Sequence, residues 1–138
     1  MRRYLVVANQ TLGGESLLEA IRARMAGGPC SFHVVVPATP PAEYLTWTEG
    51  DAAAIAQARL DRALARFGEV GADASGAVGD RNPILAIEDA LRDQEFDEII
   101  LSTLPPGISR WLKLDLPSRV IDHFRLPVTH VVAEPEPA

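Results

Sequence analysis

Hydroxyls and guanidiniums gather in one stretch of the chain: Ser102, Thr103, Ser109, Arg110, Ser118 and Arg119. Arginine presents a planar fork of N–H donors that matches phosphate or carboxylate geometry, and serine and threonine add neutral donors beside it. Such a set suits a phosphate or another small anion; the plainer alternative is a loop whose hydroxyls cap its own backbone. A second polar segment, Asn9-Gln10-Thr11-Leu12-Gly13-Gly14, precedes a helical pattern. Two glycines there either bring backbone N–H groups to an anion at a helix amino terminus or only relieve turn sterics. Neither G-x-x-x-x-G-K-[S/T] nor G-x-G-x-x-G occurs in the chain, so the commonest phosphate-loop classes have no support.

Catalytic and metal chemistry find no comparable grouping. No G-x-S-x-G elbow surrounds Ser102, and no histidine is placed by sequence as its base. His33, His123 and His130 fall in different elements, without the i, i+4 spacing or carboxylate company of a metal site. Glu88, Asp89 and Asp93 sit on the outer side of a helical pattern, where carboxylates usually solvate a face. No catalytic residue and no metal ligand is therefore assigned.

These residues are positioned by an alternation of strands and helices. Tyr4–Ala8 reads as strand one, Phe32–Val36 as strand two and Ala72–Val78 as strand three. Asp97–Ser102 reads as strand four and Pro127–Ala133 as the last. Continuous apolar runs such as Val34-Val35-Val36 and Ile99-Ile100-Leu101 suit strands covered on both faces, as in parallel sheets. Leu17, Leu18, Ile21 and Met25 recur at helical spacing, with Gly27-Gly28-Pro29 as the stop. Pro37–Trp47 reads as an irregular loop. Thr48-Glu49-Gly50-Asp51 resembles a capping box and opens a helix through Phe67. Asn82-Pro83 caps a third helix with Ile84, Ile87 and Leu91 inward. Ile108–Leu114 reads as a short helical turn, and Pro117-Ser118 opens a last helix with Val120, Ile121 and Phe124 inward. Trp47 and Trp111 either cover a pocket, meet another subunit or pack in the core. Alternation of this kind gives a parallel sheet with helices on both faces, whose ligands bind beyond the carboxyl ends where the winding reverses.

The chain has 138 residues, 47% hydrophobic and 23% charged, which fits one folded domain at 1–133 and a mobile Pro/Glu tail at 134–138. A formal charge of −6 argues against a nucleic-acid binder. Cys30, the only cysteine, rules out an internal disulfide and fits a reducing compartment. The apolar run after Met1-Arg2-Arg3 is too short for a signal or membrane segment, so a cytoplasmic location and no membrane partner are expected.

Four places resemble the universal stress protein family of adenine-nucleotide α-hydrolase-like proteins. They are Tyr4 to Asn9; Phe32 to Val36; Val78-Gly79-Asp80 through Ile84-Leu85-Ala86-Ile87; and Asp97 to Ser102 through Ser118-Arg119-Val120 to Leu126-Pro127-Val128. The resemblance implies a three-layer α/β/α fold with an open five-stranded parallel sheet, Rossmann-like or flavodoxin-like and doubly wound, in strand order 3-2-1-4-5. It implies a small regulatory homodimer paired through the edge strand Pro127–Ala133. It also implies an adenine nucleotide such as ATP or AMP, or a related anion, at the β1/β4 switch point, with Mg²⁺ only alongside nucleotide. Ala8, Asn9, Gln10, Val36 and Gly79 would then face the nucleoside, and Ser102, Thr103, Gly107, Ser109, Arg110 and Ser118 the phosphate. Members that bind ATP commonly end the first strand in aspartate and follow the fourth with G-x-x-G-x9-G-[S/T]. Here Asn9 replaces the aspartate, and Ser102, Pro105, Asp115 and Leu116 occupy the motif positions. Pro105 and Pro106 remove two backbone donors. The same fold acting through protein contacts, its pocket filled by Trp111, Leu104 and the prolines, is the alternative.

Overall fold

A computed structural model of the chain describes residues 1–38, 49–105, 110–113 and 115–134. Its strands are β1 (Arg2–Val7), β2 (Cys30–Pro37), β3 (Ala74–Gly79), β4 (Glu98–Thr103) and β5 (Val128–Val132). The helices are α1 (Glu15–Ala26), α2 (Glu49–Glu69), α3 (Pro83–Asp93), α4 (Arg110–Lys113) and α5 (Leu116–His123). The strands form one parallel sheet in the order β3-β2-β1-β4-β5. The three-layer fold and strand order expected from the sequence are those observed.

Strand periodicity builds two cores from one sheet, because successive side chains point to opposite faces. Tyr4, Val6, Ala8, Phe32, Val34, Val36 and Ile100 pack beneath α1 and α2, with the Tyr4 and Phe32 rings stacked at 5.4 Å. Leu5, Val7, Val35, Ile99 and Leu101 pack beneath α3, α4 and α5. Both faces of β1 and β4 are thus covered, which is why their sequences are continuously apolar. From β1 the chain winds out through β2 to β3, then returns to the far side of β1 as β4 and β5. The winding reverses between β1 and β4, and it is beyond the carboxyl ends at such a reversal that sheets of this topology form their ligand crevice.

Local chemistry fixes the helix ends. Asn82 Oδ1 accepts from Ile84 N–H at 3.0 Å ahead of Pro83, the cap its sequence predicts. Gly14 caps α1 without a side chain; Glu134, beyond β5, supplies the oxygen, accepting from Ser16 N–H and from Ser16 Oγ, each at 2.8 Å. Residues 135–138 of the expected tail, with Thr48 and most of the expected 37–47 loop, lie outside the described residues.

The last helix departs from expectation. Leu116 and Val120 are buried and Phe124 is half-buried, but Ile121 is 55% exposed. The inward stripe steps by four from Leu116, so Ile121 lies off it. Trp111 is buried in the core under α3 and α5. Among the described residues no helix is long and apolar enough to cross a membrane.

At the amino end of β4 the buried Glu98 carboxylate binds Arg24 of α1 at 2.8 Å, accepts from the Thr129 hydroxyl of β5 and lies 3.9 Å from Arg2 of β1. One side chain thereby joins four elements.

Candidate functional site

Beyond Val7 the chain leaves the sheet and turns, bringing Asn9, Thr11 and Leu12 to the crevice as buried residues. Asn9 is held at both heteroatoms of its amide. Its Nδ2 donates to Pro37 O at the end of β2 (2.8 Å), and its Oδ1 accepts from an Arg59 guanidinium N–H of α2 (2.6 Å). Seven residues along α2, Arg66 binds Gly13 O and the Glu15 carboxylate at the start of α1. Two arginines from α2 therefore converge on the β1–α1 turn.

On the β4 side, Ser102 and Thr103 are both buried and lie on opposite faces of the strand. Ser102 Oγ meets Thr11 Oγ1 at 2.6 Å, a hydroxyl pair that bridges the ends of β1 and β4. Thr103 Oγ1 donates to Leu104 O at 3.1 Å and lies 2.7 Å from His130 Nε2 of β5. A hydroxyl has one proton, so with Leu104 O as its acceptor Thr103 receives from His130 Nε2–H. That is the reverse of a base activating a nucleophile. Burial lowers the His130 pKa, in keeping with a neutral ring.

The other expected site residues separate into groups. Ala8 and Val36 are buried at the ends of β1 and β2, Gln10 is half-buried beside Asn9, and Gly79 ends β3. Val35 and Ala86 stand so close to Gly79 that a Cβ there would come within 2.9 Å of Ala86 Cβ. Arg110 begins α4, and Ser118 is exposed in the first turn of α5. Gly107 and Ser109 lie outside the described residues. Leu104 is buried and Pro105 is half-buried.

Asp115 carries information that its residue type hides. It stands just before α5 with φ 55° and ψ 39°, in the left-handed region that glycine adopts freely and aspartate tolerates at some strain. The loop motif described above has a glycine at this position. The backbone conformation suits that glycine, while the side chain adds a negative charge.

Arg59, Arg66 and Glu134 were not among the candidate site residues read from the sequence, and Thr11 was noted only within the segment Asn9 to Gly14. For Arg59 and Arg66 a signal existed: they flank the inward stripe Leu60, Ala63 and Phe67 at a seven-residue spacing on one side of α2. For Thr11 and Glu134 no local signal exists, since their partners lie 91 and 118 residues away. Ser16 N–H and Oγ hold the Glu134 carboxyl below its ordinary pKa. At the opposite end of the sheet an open groove of about 580 Å³ is lined by Met1, Arg3, Gln94, Phe96, Asp97 and Leu126; it stands away from the switch point. Among the described residues no group of three His, Cys, Asp or Glu side chains could hold a metal ion.

Neither a protein-family model nor a curated protein sequence matches the chain. Solved structures do. A universal stress protein from Archaeoglobus fulgidus superposes with a TM-score of 0.62 at 19% identity, over 95% of this chain and 93% of that one. A universal stress protein in complex with cAMP gives 0.64 at 18% identity, over 96% and 98%. A protein of the universal stress protein family from Burkholderia pseudomallei gives 0.56 at 18%, over 93% of each chain. The chain has the universal stress protein fold along nearly its whole length.

Proposed function

We propose that residues 1–133 form a single regulatory binding domain that takes an adenine nucleotide or a related small anionic ligand in the crevice between β1 and β4. The observation that carries this reading is the end-to-end likeness to a universal stress protein bound to cAMP, joined to the reversal of the sheet's winding between β1 and β4. On this reading Ala8, Asn9, Gln10, Val36 and Gly79 flank the nucleoside. Ser102, Thr103, Gly107, Ser109, Arg110 and Ser118 surround the phosphate, with Mg²⁺ entering only alongside it. On this reading the domain is a regulatory module and not a catalyst, since the Ser102 hydroxyl meets Thr11 Oγ1 and not a general base. The domain would act in the cytoplasm.

Thermal-shift titration with ATP, AMP and cAMP, with and without Mg²⁺, tests the reading, since a ligand that binds only the folded state raises its stability. At a concentration 100 times the dissociation constant the gain is about 2.7 kcal/mol. Asp115→Gly should enlarge the shift, because glycine relieves the left-handed strain and removes a negative charge from the phosphate side. No shift in either protein at millimolar ATP, AMP or cAMP would reject adenine-nucleotide binding. It would leave the second reading, a module acting through protein contacts, which draws support from Ser102 and Thr103 already being engaged within the chain.

Homodimerisation through β5 is part of the proposal. β5 is a sheet edge whose Val132 is 46% exposed, and an uncovered edge offers unpaired backbone groups to a second copy. Sedimentation equilibrium should show a dimer that Val132→Pro, which removes a backbone donor, converts to monomer. A monomer at every concentration of the unaltered chain would reject it.

A further inference from the structure

After β1, where the resemblance leads one to expect a carboxylate, the chain has a neutral amide that takes a cation from α2. Asn9, in place of that aspartate, is neutral, and Arg59 reaches its Oδ1 at 2.6 Å. Arg66 is matched by Glu15, but no carboxylate of the described residues pairs with Arg59. A half-buried guanidinium whose described partner is a neutral amide gains from any further acceptor brought to it, because it has five N–H donors and no acceptor.

The amide beside it is already oriented. An asparagine reads adenine by accepting from N6 and donating to N7. In Asn9 the acceptor faces Arg59 and the donor faces Pro37 O. Turning the amide to meet an exocyclic amine would place Nδ2 against the guanidinium, donor against donor. The amino edge of adenine therefore meets a guanidinium it cannot bond and at most the second lone pair of Oδ1, whereas a carbonyl edge takes the guanidinium fork as the O6/N7 edge of guanine does.

We infer that Arg59, seated on Asn9, determines specificity in this crevice by selecting a ligand whose β1-side edge offers only acceptors, the O6/N7 edge of a 6-oxopurine nucleotide being the type. The inference rests on the reading of the crevice as a nucleotide site and changes the preferred base from adenine to a 6-oxopurine. AMP, IMP and GMP share the sugar and phosphate, and AMP and IMP differ on this edge in carrying an amine or a carbonyl, so comparing them isolates the edge that Arg59 would read.

Calorimetric titration of the full chain with AMP, IMP and GMP tests it. IMP and GMP are expected to bind at least about fivefold more tightly than AMP, the lower end of what a bidentate base contact discriminates. Arg59→Gln should bring the ratio near one by weakening IMP and GMP and not AMP. Arg59→Lys, which keeps the charge and loses the fork, should lower the ratio only in part. AMP binding as tightly as IMP, or a ratio unchanged in Arg59→Gln, overturns the inference and leaves nucleotide binding intact. Binding of none of the three overturns both. Should Arg59→Gln fail to fold, the ratio in the unaltered chain and in Arg59→Lys still decides.

Discussion

Gly76→Val is expected to lower the unfolding free energy by about 3 kcal/mol or more, a large part of the total stability of a domain this size. A Cβ at Gly76 would lie 2.6 Å from Leu60 Cδ1 of α2, 2.6 Å from Val34 O and 3.3 Å from Val34 Cβ on β2. The leucine tip has no free space, since Leu60 is buried in the core beneath α2. Val34 O is backbone within the ladder that pairs Val34 with Gly76, so moving it would break the strand pairing. The helix would have to lift from the sheet, and with it Arg59, which rides on the adjacent position of α2 and reaches Asn9. Chemical denaturation of Gly76→Val and Gly76→Ala measures the cost, with Gly68→Ala as control because a Cβ there meets nothing within 4 Å. A Gly76→Val protein within about 1 kcal/mol of the unaltered one would show that α2 is not seated on β3 as described.

The same contact explains why β3 was the faintest strand in the sequence. Ala74-Ser75-Gly76-Ala77-Val78-Gly79 has one branched residue, Val78, and no aromatic, and α2 and α3 press onto Gly76 and Gly79 from opposite faces and exclude side chains at those two positions. Where both faces of a strand could take bulk, as in Leu5-Val6-Val7 and Ile99-Ile100-Leu101, the strand was legible at once. The start of α3 was equally plain, since Asn82 and Pro83 act on their immediate neighbours. Ile121 misled because apolar character alone does not fix a face; the four-residue step from Leu116 to Val120 does. The crevice was located by the order of elements, with Asn9 at its lip. The pairings that line it, Thr11 with Ser102 and Arg59 with Asn9, join residues 91 and 50 positions apart and leave no local pattern.

Glu98→Gln is the second large effect expected, a loss of about 2–3 kcal/mol at neutral pH. Removing one partner of a buried ion pair costs about 3–5 kcal/mol; the lower figure applies because the Arg24 side chain is 27% exposed and Arg2 more so. The size of the loss should depend on pH in a defined direction. Burial pushes the Glu98 carboxyl toward a higher pKa, but the hydrogen bonds from Thr129 and Arg24 and the charges of Arg24 and Arg2 outweigh it, so its folded pKa lies below the ordinary value. A carboxyl depressed in the folded state contributes its stability above the unfolded pKa, about 4.3 for glutamate, and loses it as pH falls through the folded value. The difference in unfolding free energy between the unaltered chain and Glu98→Gln should therefore be full at pH 7 and shrink below about pH 4. A difference that stays constant from pH 7 to pH 3 would mean that shape and hydrogen bonding, not charge, account for it. Glu98 lies at the amino end of β4, and the crevice lies beyond its carboxyl end. Ligand affinity measured on the folded variant should thus be unchanged while its melting temperature falls, and a loss of affinity would show that the junction of α1, β4 and β5 also sets the geometry of the crevice.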